Sequence, residues 1–374
     1  MLTRYRAAVI GLGRMGSTFD DEMLRGGLTF LPYCHGPAYF HSPLVDLVAG
    51  SDIHPEQRLL FGERWGISDE HLYADYKEML LKENLDIVSV CTTARHRSEI
   101  VQGVARAGVK VIWAEKPIAL SLLEADEMVR TCREEGSRLA VNCARRWHPL
   151  FNEAKQMIDA GDLGKILQVT GYGTCKLSIN GSHLLDIMHY LAGGKVEWLF
   201  GEMESDENAA GDDDLAGNAY LAFDNGVRGY VRSTECGAAD WEIDVIGDKG
   251  RIRSIGNGLD WELVRLVAAD RYGYGTRPSH QNGKNLQVRY PYPFPSRMQG
   301  GGLNIVEDLV SCIDNDHDPK CSGDDGRAAL EVAIAMRESH RMGGQKITLP
   351  IEDRSLQIRS SEIAGDAVPR RLRS

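Results

Sequence analysis

Three features that would connect the chain with membranes, nucleic acids or metal clusters are missing from its 374 residues. No apolar run approaches the roughly 20 residues that a membrane-spanning helix needs. The formal net charge is −11 and basic residues cluster only at Arg370, Arg371 and Arg373, whereas nucleic-acid binding requires a positive face. The eight cysteines include no C-x-x-C pair. We therefore expect no membrane or nucleic-acid partner and no metal site.

The first residues also lack the pattern of a secretory signal peptide. Their apolar run, VIGLG, is short and leads into glycines rather than into a small-residue cleavage site. This pattern predicts a cytoplasmic protein, in which the scattered cysteines are free and mostly buried thiols. The length and the 43% hydrophobic content are sufficient for two globular domains with their own cores.

The spacing of the first glycines is typical of a dinucleotide-binding turn. A short β-prone run, YRAAVI, leads directly into GLGRMG, in which Gly11, Gly13 and Gly16 have the G-x-G-x-x-G spacing. The first glycine permits the tight turn, the second lets the backbone approach a pyrophosphate, and the third lets the following helix pack closely. We expect these glycines, with Arg14 and Met15 between them, to bind the cofactor.

An acidic residue, Asp52, ends the next predicted strand, LVDLVAGSD. A carboxylate at this strand end accepts hydrogen bonds from both hydroxyls of the adenosine ribose and repels a 2′-phosphate, which favours NAD(H) over NADP(H). Asp52 lies farther along than the usual ~20 residues after the glycines, and we attribute the excess to an insertion at about residues 18–34. The alternative interpretation is a solvated aspartate that opens the loop DIHPE.

Strands and helices alternate through the rest of the N-terminal part. Three helices are predicted, in WGISDEHLYADYKEMLLKEN, ARHRSEIVQGVARAGV and SLLEADEMVRTCREEG, and three strands, in LDIVSVCTT, VKVIWAEKP and SRLAVNCARR. Continuous apolar strands separated by helices indicate an α/β fold with a doubly wound parallel sheet of the Rossmann type. Ligands bind at the carboxyl ends of such strands, where Thr92, Thr93, His96, Glu115 and Lys116 are located. We expect the first four of these residues to bind the cofactor.

The pattern changes after a helix that we predict for residues 145–160. KILQVTGYGTCK and KVEWLFGEM are predicted strands, and GSHLLDIMHYLA between them is a helix. Two hairpins follow, with turns at Asn225–Gly226 and around Asp248–Gly250. This second domain is therefore predicted to be α+β, with a largely antiparallel open sheet. We divide the chain into a Rossmann domain (1–120, completed or bridged by 121–144), a substrate-binding and oligomerisation domain (145–350) and a tail (351–374).

Two segments of the second domain show no regular pattern. Residues 205–216 (SDENAAGDDDLA) are acidic and are expected to form a solvated loop. Residues 270–300 are rich in aromatic residues and prolines, and loops of this length are often lids or binding loops. Their candidates for contact with a substrate or another subunit are Arg277, His280, Arg289, Tyr290 and Arg297.

Several motifs together resemble the Gfo/Idh/MocA family of glucose–fructose oxidoreductases and inositol dehydrogenases. They are GLGRMG, CTTARHRSEI, AEKPIALSLLEADEM, NCARRWHPLFNEAKQMIDAGDLGKI, NGSHLLDIMHYLAG and SGDDGRAALEVAIAMRES, in the family's order over nearly the whole chain. The resemblance implies an NAD-dependent oxidoreductase that transfers hydride between nicotinamide and a secondary hydroxyl or ketone of a sugar, sugar derivative or inositol.

The same resemblance implies the catalytic residues. Lys116, in E-K-P, corresponds to the lysine beside the nicotinamide, and His183 to the catalytic histidine, whose imidazole exchanges a proton near neutral pH. Asp186 corresponds to an acid that binds substrate or orients His183. The sequence departs from the pattern four residues before the histidine, where inositol dehydrogenases have an aspartate and this chain has Ile179. Neither neighbour of Ile179 is a carboxylate, although Asn180 is a candidate for substrate binding.

The resemblance also places the stretch before Pro149 near the sugar. Arg146 and Trp147 are therefore candidates for substrate binding, and interdomain packing is the equally weighted alternative. For His189, packing within the helix is favoured over a role in the site. In this family the open sheet packs against another subunit, so a dimer or tetramer is expected.

Two other functions remain open at the level of the sequence. One is a redox-neutral glycosidase of the same family, in which NAD+ transiently oxidises a ring hydroxyl, the glycosidic substituent is eliminated and the cofactor is regenerated. The other is a non-catalytic NAD-binding regulator, which the presence of both Lys116 and His183 disfavours.

Overall fold

A computed structural model describes residues 4–23, 31–238, 241–268 and 285–359. Its N-terminal sheet has six parallel strands in the order β3-β2-β1-β4-β5-β6. They are Tyr5–Ile10 (β1), Val45–Ser51 (β2), Leu72–Tyr73 (β3), Ile87–Val90 (β4), Val111–Ala114 (β5) and Arg138–Val141 (β6). Every residue of β4 and β5 is buried, as the continuous apolar runs predicted for a parallel sheet that is covered on both faces.

Six helices connect and cover these strands. They are Phe19–Met23 (α1), His35–His41 (α2), Pro55–Trp65 (α3), Tyr76–Lys82 (α4), Ala94–Arg106 (α5) and Leu122–Glu134 (α6). The start of α6 is fixed by a capping box, because the Ser121 hydroxyl accepts the Glu124 N–H and the Glu124 carboxylate accepts the Ser121 N–H. The helix therefore begins directly after the loop that carries Lys116.

Nine strands form the second sheet, in the order β14-β13-β12-β11-β7-β10-β9-β8-β15. They are Ile166–Thr174 (β7), Val196–Met203 (β8), Gly217–Phe223 (β9), Arg228–Thr234 (β10), Glu242–Gly247 (β11), Gly250–Ile255 (β12), Asp260–Ala268 (β13), Asn285–Tyr290 (β14) and Ile347–Thr348 (β15). Among the strand pairs described in this second sheet, only β7 and β10 are parallel, and the others are antiparallel. Both predicted hairpins are present, and Gly226 supplies the left-handed turn residue at φ 88°.

Five helices are described in the second part, of which α8 and α11 pack on this sheet and α10 packs on α2. They are Pro149–Asp159 (α7), Gly181–Ala192 (α8), Asp206–Ala209 (α9), Gly301–Asn315 (α10) and Gly323–Arg341 (α11). Helix α8 packs on β7, and α11 packs on β8 and α8. A Cβ atom at Gly201 of β8 would lie 2.5 Å from the carbonyl oxygen of Met336, so only glycine permits this close approach of α11 to the sheet.

Two predicted helices are wrong in extent. The segment predicted as one helix from Trp65 to Asn84 contains the end of α3, a helical turn at Asp69–His71, β3 and α4. The Asp75 carboxylate accepts the Lys77 N–H and starts α4 there. The helix predicted for residues 145–160 is split by His148, which adopts an extended conformation before Pro149, as residues before proline do.

The two segments predicted to lack regular structure also differ from expectation. In the acidic segment 205–216, residues Asp206–Ala209 form α9 and the Asp214 side chain is buried rather than solvated. In the 270–300 segment, Asn285–Tyr290 form β14 at the sheet edge, where Arg289 contacts Glu262 at 2.5 Å. Arg277 and His280 lie outside the described residues.

The cysteines match the sequence-based prediction. All eight lie within the described residues and none forms a disulfide; six are buried, Cys91 is half-buried and Cys236 is exposed. Among the residues described, no helix is both long enough and apolar enough to cross a membrane.

Candidate active site

The glycine-rich turn between β1 and α1 has the close packing that its spacing predicts. Gly11 has φ 88°, and a Cβ atom there would lie 3.0 Å from the Thr92 nitrogen, after β4. A Cβ atom at Gly16 would lie 2.0 Å from the Gly11 carbonyl oxygen, whereas nothing lies within 4 Å of the Cβ position of Gly13. Protein atoms thus surround Gly11 and Gly16, whereas the space beside Gly13 is open, which fits the approach of a pyrophosphate.

Asp52 lies beside this turn at the carboxyl end of β2. One carboxylate oxygen accepts the Leu12 N–H at 2.7 Å and the other accepts the His54 N–H at 2.9 Å. The side chain is half-buried, and each carboxylate oxygen has a further lone pair for a ribose hydroxyl. Of the other turn residues, Arg14 is exposed and contacts Glu22 at 2.7 Å, and Met15 is half-buried.

The residues predicted after β4 occupy different environments. The Thr92 hydroxyl oxygen is buried and has no hydrogen-bond partner among the residues described. Thr93 precedes α5 and is exposed, and His96 is exposed in the first turn of that helix. Thr92 is therefore the one that contacts the glycine turn directly.

Glu115 and Lys116 follow β5, but they point in different directions. The Glu115 side chain is buried, with 4% of its surface exposed, and its Oε2 accepts the N–H of Lys116 at 3.1 Å. Lys116 is half-buried, and its Nζ lies 3.5 Å from the Oδ1 of Asn180 at the start of α8. Glu115 thus points into the interior, whereas Lys116 reaches across to the second domain.

His183 lies in the first turn of α8 and is 7% exposed. Burial lowers the pKa of its imidazole well below the ordinary value, and the charges of Lys116 and Arg145 lower that pKa further. Its Nδ1 has no hydrogen-bond partner among the residues described, and its ring meets the Trp241 ring edge-on at 6.0 Å. His183 is thus a neutral imidazole with a free nitrogen, close to the ammonium of Lys116.

Asp186 is bonded to Arg146, and no hydrogen bond to His183 is found among the residues described. Asp186 is fully buried, and both of its oxygens lie 2.9 Å from Nε of Arg146, with Nη2 of Arg146 at 2.8 Å. Burial raises the pKa of Asp186 and the guanidinium opposes that rise. Arg146 also donates to the Lys320 carbonyl and contacts Asp325 at 3.0 Å. The Asp186–Arg146 pair is therefore a buried internal contact. His183 and Asp186, one helical turn apart, contact different neighbours.

Trp147 and His189 also have internal partners. Trp147 is 1% exposed, and its Nε1–H donates to Asp308 at 2.8 Å. The Nδ1 of His189 lies 2.8 Å from the Leu185 carbonyl oxygen, in the preceding turn of α8. Of the two uses predicted for Arg146 and Trp147, these contacts favour packing over contact with substrate, but the partners lie within residues 145–350 rather than across the predicted domain boundary.

The sequence prediction missed Asp214, which lies in the acidic segment. Its two carboxylate oxygens accept the N–H groups of Ser178 at 2.7 Å and of Ile179 at 3.0 Å. Burial raises the pKa of Asp214 to about 6, although these hydrogen bonds lower it. A carboxylate from a distant loop thus fixes the backbone of the position at which the family's aspartate is absent. No local signal distinguished Asp214 from its acidic neighbours.

The sequence prediction also missed His35 and Trp241. His35 is fully buried and its Nε2 lies 3.1 Å from Oε1 of Glu115. Trp241 carries the guanidinium of Arg145 over its ring at 3.7 Å. Both belong to segments without a recognisable motif, and their proximity to the site depends on tertiary structure alone.

Comparisons with known proteins agree with this architecture. The chain is 27% identical over 360 residues to myo-inositol 2-dehydrogenase of Thermotoga maritima, covering 89% of this chain and 96% of the relative. It is 27% identical over 370 residues to the NAD+-dependent scyllo-inositol 2-dehydrogenase of Bacillus subtilis, covering 90% and 94%. The crystal structure of aldose-aldose oxidoreductase from Caulobacter crescentus has the same fold, with a TM-score of 0.72 at 20% identity, over 93% of this chain and 100% of that one.

Two family models match consecutive parts of the chain. Residues 5–143 match the NAD-binding Rossmann fold of an oxidoreductase family, and residues 172–349 match the C-terminal alpha/beta domain of the same family. Together the two matches include the first sheet, most of the second, the glycine turn, Lys116 and His183. The chain therefore belongs to the Gfo/Idh/MocA family of NAD-binding oxidoreductases.

Proposed function

We propose that this protein is an NAD-dependent dehydrogenase that oxidises a secondary hydroxyl of a sugar, sugar derivative or inositol, or reduces the corresponding ketone. The observation that carries the proposal is the approach of Lys116 to Asn180, with Nζ and Oδ1 3.5 Å apart. This contact joins the carboxyl end of β5, where a parallel sheet binds its ligand, to the helix that carries His183.

Lys116 has the role of donating a hydrogen bond to the reacting oxygen of the substrate. Its ammonium group carries three N–H donors, of which the contact with Asn180 uses one. A positive charge beside an alcohol oxygen favours the loss of its proton, because it stabilises the negative charge that develops there. Asn180 keeps the ammonium at the entrance of α8 and presents its own amide N–H to a neighbouring hydroxyl.

His183 has the role of accepting the hydroxyl proton. The lowered pKa keeps the imidazole neutral over a range that extends below the ordinary value near 6.5. The unpartnered Nδ1 is an acceptor or a donor according to the tautomer, so it is able to take and return a proton. The cations around His183 favour its neutral form, which is the form that accepts a proton.

The cofactor turn and Asp52 favour NAD(H) over NADP(H). Bound NAD+ would supply the hydride acceptor for the carbon that bears the reacting hydroxyl. Gly13 leaves room for the pyrophosphate, and the carboxylate of Asp52 has lone pairs for the ribose hydroxyls and a charge that repels a 2′-phosphate. The same residues would hold the cofactor in either direction of the reaction.

The experiment that tests the proposal measures NADH formation with a panel of inositols, aldoses and sugar acids. An aryl glycoside is included, and phenol release is followed separately from NADH absorbance. A dehydrogenase accumulates one NADH for each sugar oxidised and releases no phenol. Phenol release without net NADH, lost in both Lys116→Ala and His183→Ala, would instead establish the redox-neutral glycosidase. The inositol dehydrogenases among the relatives favour the first outcome.

The exposed face of the nine-stranded sheet supports assembly with a second copy of the chain. This face carries an aromatic cluster of Trp198, Phe200, Tyr220 and Tyr230, whose neighbouring ring centroids lie 5.4–6.3 Å apart. Phe200 and Tyr230 are both 41% exposed. Apolar surface of this kind on an open sheet marks an interface. Light scattering of the wild type and of Phe200→Glu tests it, with a mass above 41.4 kDa for the wild type only.

A further inference from the structure

His35, the first residue of α2, is at the centre of a buried polar cluster below Lys116. Its ring stacks on Trp113 with centroids 3.6 Å apart and an interplanar angle of 29°. Nδ1 lies 2.8 Å from the Ser89 hydroxyl, and that hydroxyl lies 2.7 Å from the hydroxyl of Tyr39. Nε2 lies 3.1 Å from Oε1 of Glu115. Both ring nitrogens of a fully buried histidine therefore have partners.

The direction of these hydrogen bonds follows from the chemistry of the groups. Burial lowers the pKa of His35, so the ring is neutral with one N–H. An ionised carboxylate only accepts, so the proton is on Nε2, which donates to Glu115. Nδ1 then accepts from the hydroxyl of Ser89, which in turn accepts from Tyr39. The chain of donors points from Tyr39 towards Glu115.

Glu115 uses both carboxylate oxygens within this cluster. Oε1 also accepts from the Asn142 amide at 2.5 Å, and Oε2 accepts the N–H of Lys116 at 3.1 Å. Burial alone raises the pKa of Glu115, but the hydrogen bond from His35 is the largest opposing influence and the pKa falls to about 2. Without His35, burial would act on the carboxyl with less opposition.

We infer that His35 is a positioning residue for Lys116: by donating to Glu115 it keeps that carboxylate ionised and bound to the Lys116 N–H, which fixes the backbone from which the reacting ammonium extends. The inference rests on the proposed role of Lys116 and adds a residue outside the reacting groups. A neutral, protonated Glu115 would still occupy the space, but it would accept less strongly from Lys116 and would place no negative charge behind the ammonium.

Helix α2 also connects this cluster with the cofactor turn. A Cβ atom at Gly36 would lie 2.7 Å from the Gly16 carbonyl oxygen, so α2 packs directly against that turn. Asp20 of α1 accepts the N–H groups of Tyr33 and Cys34, just before His35. The position of His35 is thus fixed by the residues that follow the glycines, and it is transmitted to Lys116 through Glu115.

Other charged and titratable groups near Glu115 are present in all the variants tested. They are Lys116 beside it, Tyr33 and Cys34 before α2, Cys91 after β4, Arg97 of α5 and His183 of α8. Because they do not change, a new titration that appears on substitution of His35 is attributable to the lost hydrogen bond.

The test compares His35→Phe, His35→Gln and His41→Phe. Phenylalanine retains the ring on Trp113 but donates no hydrogen bond, glutamine keeps an N–H donor, and His41, at the exposed end of the same helix, is the matched control. We expect kcat of His35→Phe to fall about tenfold or more between about pH 8.5 and about pH 6, as burial raises the pKa of Glu115 into this range. His35→Gln should recover most of that loss, and His41→Phe should follow the wild type.

The ionisation of Glu115 is also measured without any substrate. In protein labelled with carbon-13 at glutamate Cδ, the signal that disappears in Glu115→Gln should stay at its carboxylate position in the wild type over about pH 5–9, and should titrate in His35→Phe. If His35→Phe does not fold, His35→Leu, which also donates no hydrogen bond, is used for both measurements.

This inference and the proposed function are contradicted by different outcomes. An unchanged Glu115 signal and an unchanged pH profile in the His35 variants would overturn the inference, as would a loss of kcat that is equal at every pH. Retained turnover in Lys116→Ala would overturn the proposed role of lysine and leave the titration of Glu115 to be judged separately.

Discussion

Replacement of Asp186 by asparagine tests whether this residue acts in the chemistry or in the fold. The side chain is fully buried, and its oxygens contact the Arg146 guanidinium at 2.8 and 2.9 Å. Asparagine retains the volume and one acceptor oxygen but removes the charge. The guanidinium, itself buried, would then lie beside an amide that does not neutralise it.

The magnitude of the effect follows from what Arg146 retains. Removal of one partner of a buried ion pair costs about 3–5 kcal/mol, because the other charge is left without compensation. Arg146 would still contact Asp325 at 3.0 Å and donate to the Lys320 carbonyl at 3.0 Å. We therefore expect Asp186→Asn to lower the free energy of unfolding by about 3 kcal/mol, at the lower end of that range.

Urea unfolding of Asp186→Asn measures this value, and a double-mutant cycle measures the coupling between the two charges. Asp186→Leu with Arg146→Met replaces both charges by apolar groups, and it should be more stable than either single variant by at least about 1 kcal/mol. Glu134→Gln is the control, because it breaks the exposed pair with Arg130, whose side chains are 58% and 57% exposed. That change should cost less than about 1 kcal/mol.

The same variants are assayed for turnover. If Asp186 supports the fold, kcat of folded Asp186→Asn should fall less than about tenfold. Loss of a proton-transfer group would instead lower kcat by about 10²–10⁴-fold. A loss of kcat in that larger range, with unchanged stability, would refute the structural assignment and restore the catalytic one.

Three further predictions concern the cofactor, the lysine and the loop before α8. Lys116→Ala should lower kcat by about 10²–10⁴-fold while NADH binding stays intact. The control is Lys110→Ala, at the start of the same strand segment, where the ammonium contacts Asp86. Equal kcat values for the two variants would contradict the role of Lys116. Asp52→Ala should weaken NADH binding and narrow the preference over NADPH in calorimetric titrations, and a wild type that prefers NADPH would refute the assignment of Asp52. Asp214 has a folded pKa of about 6, raised by burial above the ordinary 3.8, so its stabilising contribution is present below about pH 4 and is lost as the pH rises through about 6. Asp214→Asn should remove this pH dependence, which amounts to at most about 3 kcal/mol of unfolding free energy in urea between these pH values. If the free energy of unfolding of the variant changes with pH as in the wild type, Asp214 is not the group responsible.

The fold was largely predictable because its signals are local and repeated. The G-x-G-x-x-G spacing, the buried runs of β4 and β5 and the Asn225–Gly226 turn each specify their own segment. The errors occurred where a tertiary contact decided the structure. Leu72–Tyr73 pair with Gly50–Ser51 and become β3 inside a segment with a helical pattern. Asn285–Tyr290 become β14 only because β13 is beside them.

In the candidate site, the sequence indicated only the two residues that we propose as the reacting groups. Lys116 and His183 stand in motifs, and the structure places the lysine beside the helix of the histidine. The pairing of Asp186 with Arg146 was not predictable, because a spacing of three residues puts Asp186 and His183 near one face of a helix without specifying the partner of either. Asp214 and His35 act on residues 35 and 80 positions away, and a sequence pattern does not encode such distances.

The positions of the two reacting groups depend on different parts of the chain. The Lys116 N–H donates to Glu115, and Glu115 accepts hydrogen bonds from His35 of α2 and from Asn142, directly after β6. His183 begins a helix whose preceding loop is held by Asp214 in the second domain. Among the hydrogen bonds described for Lys116, only the one with Asn180 joins these two arrangements. A chain that kept both motifs but lost His35 or Asp214 would therefore retain the reacting groups and lose the geometry between them.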